Sequence, residues 1–220
     1  KDFAKFLGVK YTFAVANGTA AVHLALRALD IKFGDEVLVP SLTFVASVNA
    51  IVYCQAKPVF VDITSQENFN LSVEDLQKKI TDKTKAILVV HYAGYPAEME
   101  KINQIAQEKN LFVIEDSAHA IGAEINKKKM GTWGDIGCFS FFSNKNLVTG
   151  EGGMVVTNSD ELAQKLKVLR SHGMTTLTWE RHKGHAHTYD VVDLGFNYRM
   201  TEIEAALGIE QLKKLKKNNA

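Results

Sequence analysis

The sequence predicts an α/β fold in which a mostly parallel sheet of about seven strands is sandwiched by helices. Short apolar runs alternate with segments of helical periodicity along the 220 residues, and no internal repeat or low-complexity linker interrupts them. Residues 111–116 form a continuous apolar run that ends in two carboxylates. Such a run is typical of a parallel strand that is buried on both faces.

The predicted elements follow one another in strand and helix order. Strands are predicted at residues 11–16, 36–40, 57–63, 86–92, 111–116, 136–142 and 153–157. A helix that ends at Gly8 precedes the first strand, and Pro96 and Ser159 mark two later helix starts. Helices are predicted at residues 17–29, 41–53, 72–80, 96–108, 160–170 and 200–215.

Composition excludes several classes of protein. Hydrophobic residues make up 46% of the chain, charged residues 23%, and the formal net charge is +1, so no charge excess favours a nucleic-acid or membrane partner. Cys54 and Cys138 lie in apolar surroundings without CxxC spacing, which argues against a disulfide framework and a structural zinc site. No apolar run approaches the roughly 18 residues of a membrane span. We therefore expect a cytoplasmic protein.

Both ends of the sequence predict a piece of a longer protein. The chain starts without methionine inside a predicted helix, and it ends on a lysine-rich helix without a terminating element. Residues 1–220 are interpreted as one domain that is truncated at both ends.

Lys145 lies just after the predicted strand 136–142, in a polar turn closed by Gly150, Gly152 and Gly153. A lysine held at a strand end becomes a nucleophile when its surroundings lower its pKa, and its usual product is a Schiff base with a carbonyl compound. The alternative is a solvated loop lysine, which would apply to most of the 26 Lys and Arg residues. A catalytic role for Lys145 therefore depends on the residues around it.

The first strand runs directly into the small residues Gly18, Thr19 and Ala20, which open a helix. Backbone N–H groups and the helix dipole at such a turn bind phosphate. The alternative is simple N-capping by Asn17 or Thr19. The two interpretations are evenly balanced, because the turn lacks both GxGxxG and the Gly-Lys-Ser/Thr of a P-loop.

Phe44 and Asp116 occupy two other strand exits. Phe44 could cover the face of a planar ring, although core packing is the common explanation for a single phenylalanine. Asp116 ends the apolar run and could hold a protonated ring nitrogen. A salt bridge, or an N-cap for residues 117–119, is the alternative.

The long segment 171–189 is rich in His, Thr and Tyr and has no clear period. The absence of a period predicts a loop, and loops of this length are often functional. His182, His185 and His187 could suggest a metal site, but their spacing is not that of a helical ligand pair and no acid or cysteine lies among them. We therefore assign no metal site.

The carboxyl ends of parallel strands meet at one edge of a sheet, where ligands of α/β proteins bind. This edge would bring together an anion-binding turn, an aromatic cover, an acid and an amine, contributed by Thr19, Phe44, Asp116, Ser140 and Lys145. These groups meet the four demands of pyridoxal phosphate.

Six motifs occur in the order found in one known family. They are NGTAAVHLAL (17–26), GDEVLVPSLTF (34–44), EDSAHA (115–120), FSFFSNK (139–145), TGEGG (149–153) and GFNYRM (195–200). With these motifs the chain resembles, over essentially its whole length, the DegT/DnrJ/EryC1/StrS family of sugar aminotransferases, which are fold-type I pyridoxal-phosphate enzymes. The resemblance implies the large domain of this fold, with the small C-terminal domain missing.

The resemblance also implies residue roles. Lys145 would form the Schiff base and then move a proton, Asp116 would pair with the pyridine nitrogen, and Phe44 would stack on the ring. The phosphate would be held by Gly18, Thr19, Ala20 and Ser140. His119 stands where many members carry glutamine, and it would lie beside the ring.

The residue matching Asn197 reaches the cofactor of the neighbouring subunit in the family. The resemblance thus implies a homodimer whose active site is shared between subunits. The family reaction moves an amino group, typically from L-glutamate, to a keto group of a nucleotide-linked deoxysugar. Such sugars serve cell-surface polysaccharides or secondary metabolites.

Three alternatives remain open from the sequence. The sugar dehydratase branch of the family replaces the Schiff-base lysine by histidine, and position 145 is lysine. A non-catalytic regulatory homologue would have no need to retain Lys145, Asp116 and the phosphate turn together. A Rossmann-type nucleotide enzyme would require a glycine fingerprint followed by an acid, which is absent. Sugar-contacting residues are expected partly in segment 171–189.

Overall fold

The computed structural model describes residues 1–175 and 188–219. Its helices are α1 Asp2–Leu7, α2 Gly18–Ala28, α3 Val45–Tyr53, α4 Val73–Lys79, α5 Met99–Lys109, α6 Asp160–Leu169 and α7 Glu202–Asn218. Its strands are β1 Tyr11–Val15, β2 Glu36–Pro40, β3 Lys57–Val61, β4 Thr84–Val90, β5 Phe112–Asp116, β6 Glu124–Ile125, β7 Lys128–Lys129, β8 Ile136–Ser140 and β9 Gly153–Thr157.

Seven strands form one sheet in the order β1-β9-β8-β5-β4-β2-β3. Strand β9 is antiparallel to both of its neighbours, whereas β8, β5, β4, β2 and β3 pair in parallel. The predicted mostly parallel sheet of seven strands is therefore confirmed. Because Asp116 pairs with Cys138 in register, the end of β5 lies beside β8, the strand that precedes Lys145.

Alternation along the strands divides the buried side chains between the two faces of the sheet. In β4, Leu88 belongs to a core shared with α2, α3 and α6, whereas Ile87 and Val89 belong to a core shared with α4 and α5. A third cluster packs α1 and the end of α7 against Phe139 of β8. The sheet is thus covered on both faces, as its continuous apolar strands require.

Element boundaries differ from the prediction where the chain approaches the site. Helix α3 begins at Val45 with Phe44 as its N-cap, not at residue 41, and β8 ends at Ser140 rather than at residue 142. A short hairpin, β6 with β7, and a 3-10 helix, Tyr92–Gly94, were not predicted. These short pieces depend on local backbone geometry and carry no periodic pattern.

Helix α7 confirms the predicted helix 200–215, but the apolar side chains of its first half are not buried by the described part of the chain. Ile203 is 84% exposed and Leu207 is 42% exposed, whereas Leu215 near its end is buried. The helix starts with a full capping box formed by Thr201 and Glu204. None of the described helices is long and apolar enough to cross a membrane.

The predicted loop 171–189 is described only at its two ends. Residues 171–175 form a turn after α6, in which the N–H of Gly173 donates to the carbonyl of Val168 (3.0 Å), and Ser171 pairs with Asn197 in an isolated bridge. His182, His185 and His187 lie outside the described residues.

Candidate active site

A cavity of about 530 Å³ opens at the carboxyl ends of the parallel strands. Seven of the nine residues predicted for the site line it, together with Asn17, Thr43, His91, Tyr92, Cys138, Asn144 and Glu151. The seven are Gly18, Thr19, Phe44, Asp116, His119, Ser140 and Lys145. Segments from at least five parts of the chain thus meet where the parallel sheet predicts a ligand.

Lys145 is half-buried at this cavity, in the turn after β8. Its backbone N–H donates to the carbonyl of Phe142 (3.0 Å), and the turn ends at Gly152. Gly152 has a φ of +152°, and a Cβ there would lie 2.3 Å from the Thr149 hydroxyl. Burial lowers the pKa of Lys145, and the negative charge of Asp116 partly opposes that shift. The position therefore favours a neutral, nucleophilic amine.

The turn between β1 and α2 faces the end of β8. Asn17 caps α2, and its side-chain oxygen accepts the N–H of Ala20 (2.8 Å). Gly18 and Thr19 lie in the first helical turn, where N–H groups have no intrahelical acceptor, and both residues line the cavity. The predicted capping by Asn17 and a role in anion binding are therefore compatible, because they use different N–H groups.

Gly18 packs directly against Ser140. A Cβ at position 18 would lie 2.8 Å from the Ser140 Cβ and 3.2 Å from its hydroxyl oxygen. No side chain fits there without movement of β8. The absence of a side chain leaves a polar recess between the helix N-terminus and a serine hydroxyl, which suits a phosphate.

Asp116 accepts two hydrogen bonds at the end of β5. The Ser47 hydroxyl donates to Oδ2 (2.8 Å) and the Ala118 N–H donates to Oδ1 (3.1 Å). The second bond closes a turn rather than a helix, and both partners are neutral. The carboxylate is thus held in place and lines the cavity without using a cation from the described part of the chain as its hydrogen-bond partner.

Phe44 and His119 border the same cavity. Phe44 is 72% exposed, so it does not serve core packing. The pKa of His119 is lowered by burial and by the positive charge of Lys145, while Asp116 raises it. His119 thus lies within electrostatic reach of both groups and is expected to be neutral at pH 7, where it can donate or accept a hydrogen bond.

Ala20 and Asn197 do not line the cavity. The N–H of Ala20 is bound by Asn17, and the residue is buried. Asn197 is exposed and pairs with Ser171 in an isolated bridge. The backbone carbonyl of the next residue, Tyr198, accepts a hydrogen bond from the N–H of Ala16 (2.9 Å). Their roles toward a ligand stay predictions.

The whole chain, residues 1–220, matches the model of the DegT/DnrJ/EryC1/StrS aminotransferase family. The chain belongs to this family. The resemblance found in the sequence motifs is therefore confirmed.

Relatives and solved structures agree with this assignment. GDP-perosamine synthase of Escherichia coli O157:H7 is 50% identical over 210 residues, which are 96% of this chain and 55% of that protein. The aminotransferase from Psychrobacter cryohalolentis has a TM-score of 0.90 at 41% identity, covering 98% of this chain and 55% of that chain. The PLP form of the putative sugar aminotransferase Spr1654 from Streptococcus pneumoniae has a TM-score of 0.89 at 29% identity, with 98% and 58% covered. The chain thus spans little more than half the length of these proteins.

Beside the site, the structure of this family member contains a buried network that the sequence analysis missed. Glu115 and His91 are both fully buried, and His91 Nε2 lies 2.9 Å from Glu115 Oε2. The Ala97 N–H donates to His91 Nδ1 (3.2 Å), so Nδ1 is the acceptor and Nε2 carries the proton. The sequence signal for this network was Glu115 itself. Neighbouring residues of a strand point to opposite faces, so Glu115 and Asp116 could not both face the cavity.

The lowered pKa of Lys145 has a measurable consequence. We expect the reactivity of the Lys145 amine with acetic anhydride to reach half of its maximum at a pH below about 10.4, the pKa of a free lysine side chain. Asp116→Asn removes the charge that raises this pKa, so its midpoint falls further. Competitive labelling across a pH series, read by mass spectrometry, measures both midpoints. A midpoint at or above the free value, or an upward shift in Asp116→Asn, would contradict the assigned environment.

Proposed function

We propose that this chain is the cofactor-binding part of a pyridoxal-phosphate-dependent aminotransferase that acts on a nucleotide-linked keto-sugar. The observation that carries the proposal is that Lys145, Asp116 and the turn at Gly18 line one cavity. A Schiff-base amine, an acid for a ring nitrogen and a phosphate recess have no common use in a pure scaffold. Their combination also argues against a non-catalytic regulatory role.

The residues present fit this cofactor. The recess beside Gly18, which a Cβ would fill, offers backbone N–H groups and the Ser140 hydroxyl to a phosphate. Asp116 supplies an oriented carboxylate, and the exposed ring of Phe44 supplies a flat apolar surface. The half-buried amine of Lys145 completes the set. Among solved structures, the putative sugar aminotransferase Spr1654 of Streptococcus pneumoniae is known in a PLP form.

Each of these residues would have its own role in the reaction. Gly18, Thr19 and Ser140 would hold the phosphate, and the Asp116 carboxylate would bind the ring nitrogen and favour its positive charge. Pyridoxal phosphate, when bound, withdraws electrons from the substrate carbon and so makes its proton removable. The amine of Lys145 would take and return that proton, a role that its lowered pKa favours.

The proposed substrates rest on the resemblance to the family and its members. We propose L-glutamate as the amino donor and a nucleotide-linked deoxysugar with a keto group as the acceptor. Support comes from GDP-perosamine synthase, half of whose aligned residues are identical to those of this chain. Lysine at position 145 opposes the sugar dehydratase alternative, in which histidine replaces it.

We also propose a cytoplasmic homodimer with a shared active site. Exposed apolar side chains on three segments support it, because surface patches of this kind mark interfaces. They are Val45, Val52 and Tyr53 on α3, Val191, Val192 and Leu194, and Ile203 and Leu207 on α7. Asn197, predicted to reach the partner's cofactor, is exposed among them. A monomeric mass in solution at concentrations that bind cofactor would contradict this proposal.

The experiment is to add pyridoxal phosphate to the purified protein, record its visible absorption, and fix the product with borohydride. We expect a visible band and a reduced adduct that peptide mapping places on Lys145. L-glutamate should then shift the band, because the amino group passes to the cofactor. No band in this chain, repeated with a version extended to the length of its relatives, would refute the proposal. An adduct on other lysines would refute the assignment of Lys145.

A further inference from the structure

Two hydroxyl groups connect the start of α3 to the end of β5. The Ser47 hydroxyl lies 2.8 Å from Asp116 Oδ2, and the Thr43 hydroxyl lies 3.1 Å from Ser47 Oγ. Thr43 and Asp116 both line the cavity. Ser47 is fully buried, with an exposed fraction of 0%, and it contacts the carboxylate from within the protein.

The direction of these hydrogen bonds follows from the number of protons. A carboxylate oxygen accepts, so the single hydroxyl proton of Ser47 points to Asp116. Ser47 Oγ then accepts the proton of Thr43. On the other side, the Ala118 N–H binds Oδ1, so each carboxylate oxygen has one fixed donor. The two donors together prevent rotation of the carboxylate about its Cβ–Cγ bond.

We propose that Ser47 is a positioning residue that orients the Asp116 carboxylate toward the ring nitrogen of the cofactor. The inference rests on the proposed function, since it requires that Asp116 meets such a nitrogen. Neither the motifs nor the roles implied by the family resemblance assign this residue.

A purely structural role for Ser47 makes a different prediction. Ser47 lies in the first turn of α3, and its backbone N–H donates to the carbonyl of Phe44 (3.1 Å). If its hydroxyl merely satisfied this buried turn, its removal would lower stability without a specific dependence on Asp116. The two roles separate when cofactor affinity is measured with and without the carboxylate.

The test compares Ser47→Thr with Ser47→Val, two side chains of the same shape of which one carries a hydroxyl. The dissociation constant of pyridoxal phosphate is measured by absorbance titration, and thermal unfolding of the cofactor-free protein is recorded. We expect Ser47→Val to bind the cofactor about tenfold to hundredfold more weakly than Ser47→Thr, as for loss of a hydrogen bond to a charged group. In the Asp116→Ala background this difference should vanish. Ser47→Ala and the wild type form a second pair, in case the added methyl group disturbs α3.

Each outcome decides the inference. Equal affinity of Ser47→Val and Ser47→Thr, together with equal affinity of Ser47→Ala and the wild type, overturns it and leaves the proposed function intact. A loss that persists unchanged in Asp116→Ala also overturns it, because the hydroxyl would then act elsewhere. If the wild-type protein forms no cofactor adduct, the proposed function fails and this inference falls with it. A loss that depends on Asp116 supports it.

Discussion

Replacement of Lys145 by alanine is expected to lower the rate of amino transfer by about 10⁴-fold, the upper end of what one positioned acid–base group contributes. Lys145 lines the cavity, and burial lowers its pKa, so the amine can take a proton from a substrate carbon at a lower pH than a free lysine side chain can. Among residues 1–175 and 188–219, Lys145 is the single lysine that lines this cavity. The measurement is a single-turnover reaction with L-glutamate, followed by cofactor absorbance.

Two variants serve as controls for this loss. Lys145→Arg keeps the positive charge but stays protonated, so it should be as inactive as Lys145→Ala. Lys85→Ala removes an exposed lysine on β4 and should leave the rate unchanged. A rate for Lys145→Ala within tenfold of the wild type would show that another group moves the proton.

Replacement of Glu115 by glutamine is expected to reduce the free energy of unfolding by about 2–6 kcal/mol, because two buried donors would each lose their acceptor at a cost of about 1–3 kcal/mol. Glu115 is fully buried and accepts four hydrogen bonds. The N–H groups of Trp133 (2.6 Å) and Gly134 (2.7 Å) bind Oε1, and the N–H of Gly131 (2.7 Å) and His91 Nε2 (2.9 Å) bind Oε2. In either orientation, a glutamine amide places its NH₂ group against two donors.

Urea unfolding of the wild-type protein and of Glu115→Gln measures this difference in the free energy of unfolding. Glu108→Gln is the matched control, because this exposed side chain keeps the oxygen that accepts from Gln104 (3.0 Å). We expect it to change the free energy by less than about 0.5 kcal/mol. A Glu115→Gln protein as stable as Glu108→Gln would show that the four donors find other partners.

Much of the site was predictable because it depends on local patterns. Apolar runs locate the strands, and their last residues identify Asp116 and the turn that carries Lys145. Parallel pairing then places these residues at one edge. The cavity lined by Gly18, Asp116 and Lys145 has this origin.

The rest depends on contacts between distant segments. Glu115 was noticed in the sequence, but its four donors come from residues 91 and 131–134, whose approach no periodicity predicts. The bond from Ser47 to Asp116 joins residues 69 positions apart. The role predicted for Asn197 requires a second chain. The backbone N–H of Ala20 is bound by the Asn17 side chain, an interaction that the sequence does not distinguish from phosphate binding.

The pairing of β1 with β9 has a consequence for biosynthesis. Edge strand β1 and its neighbour β9 are separated by more than a hundred residues, since Tyr11 lies opposite Thr157. During translation, β1 leaves the ribosome long before its partner exists, and contacts of such high sequence separation form slowly. The phosphate recess, which follows β1 directly, is therefore assembled late. A nascent chain acquires its cofactor pocket only after most of the sheet has been synthesised.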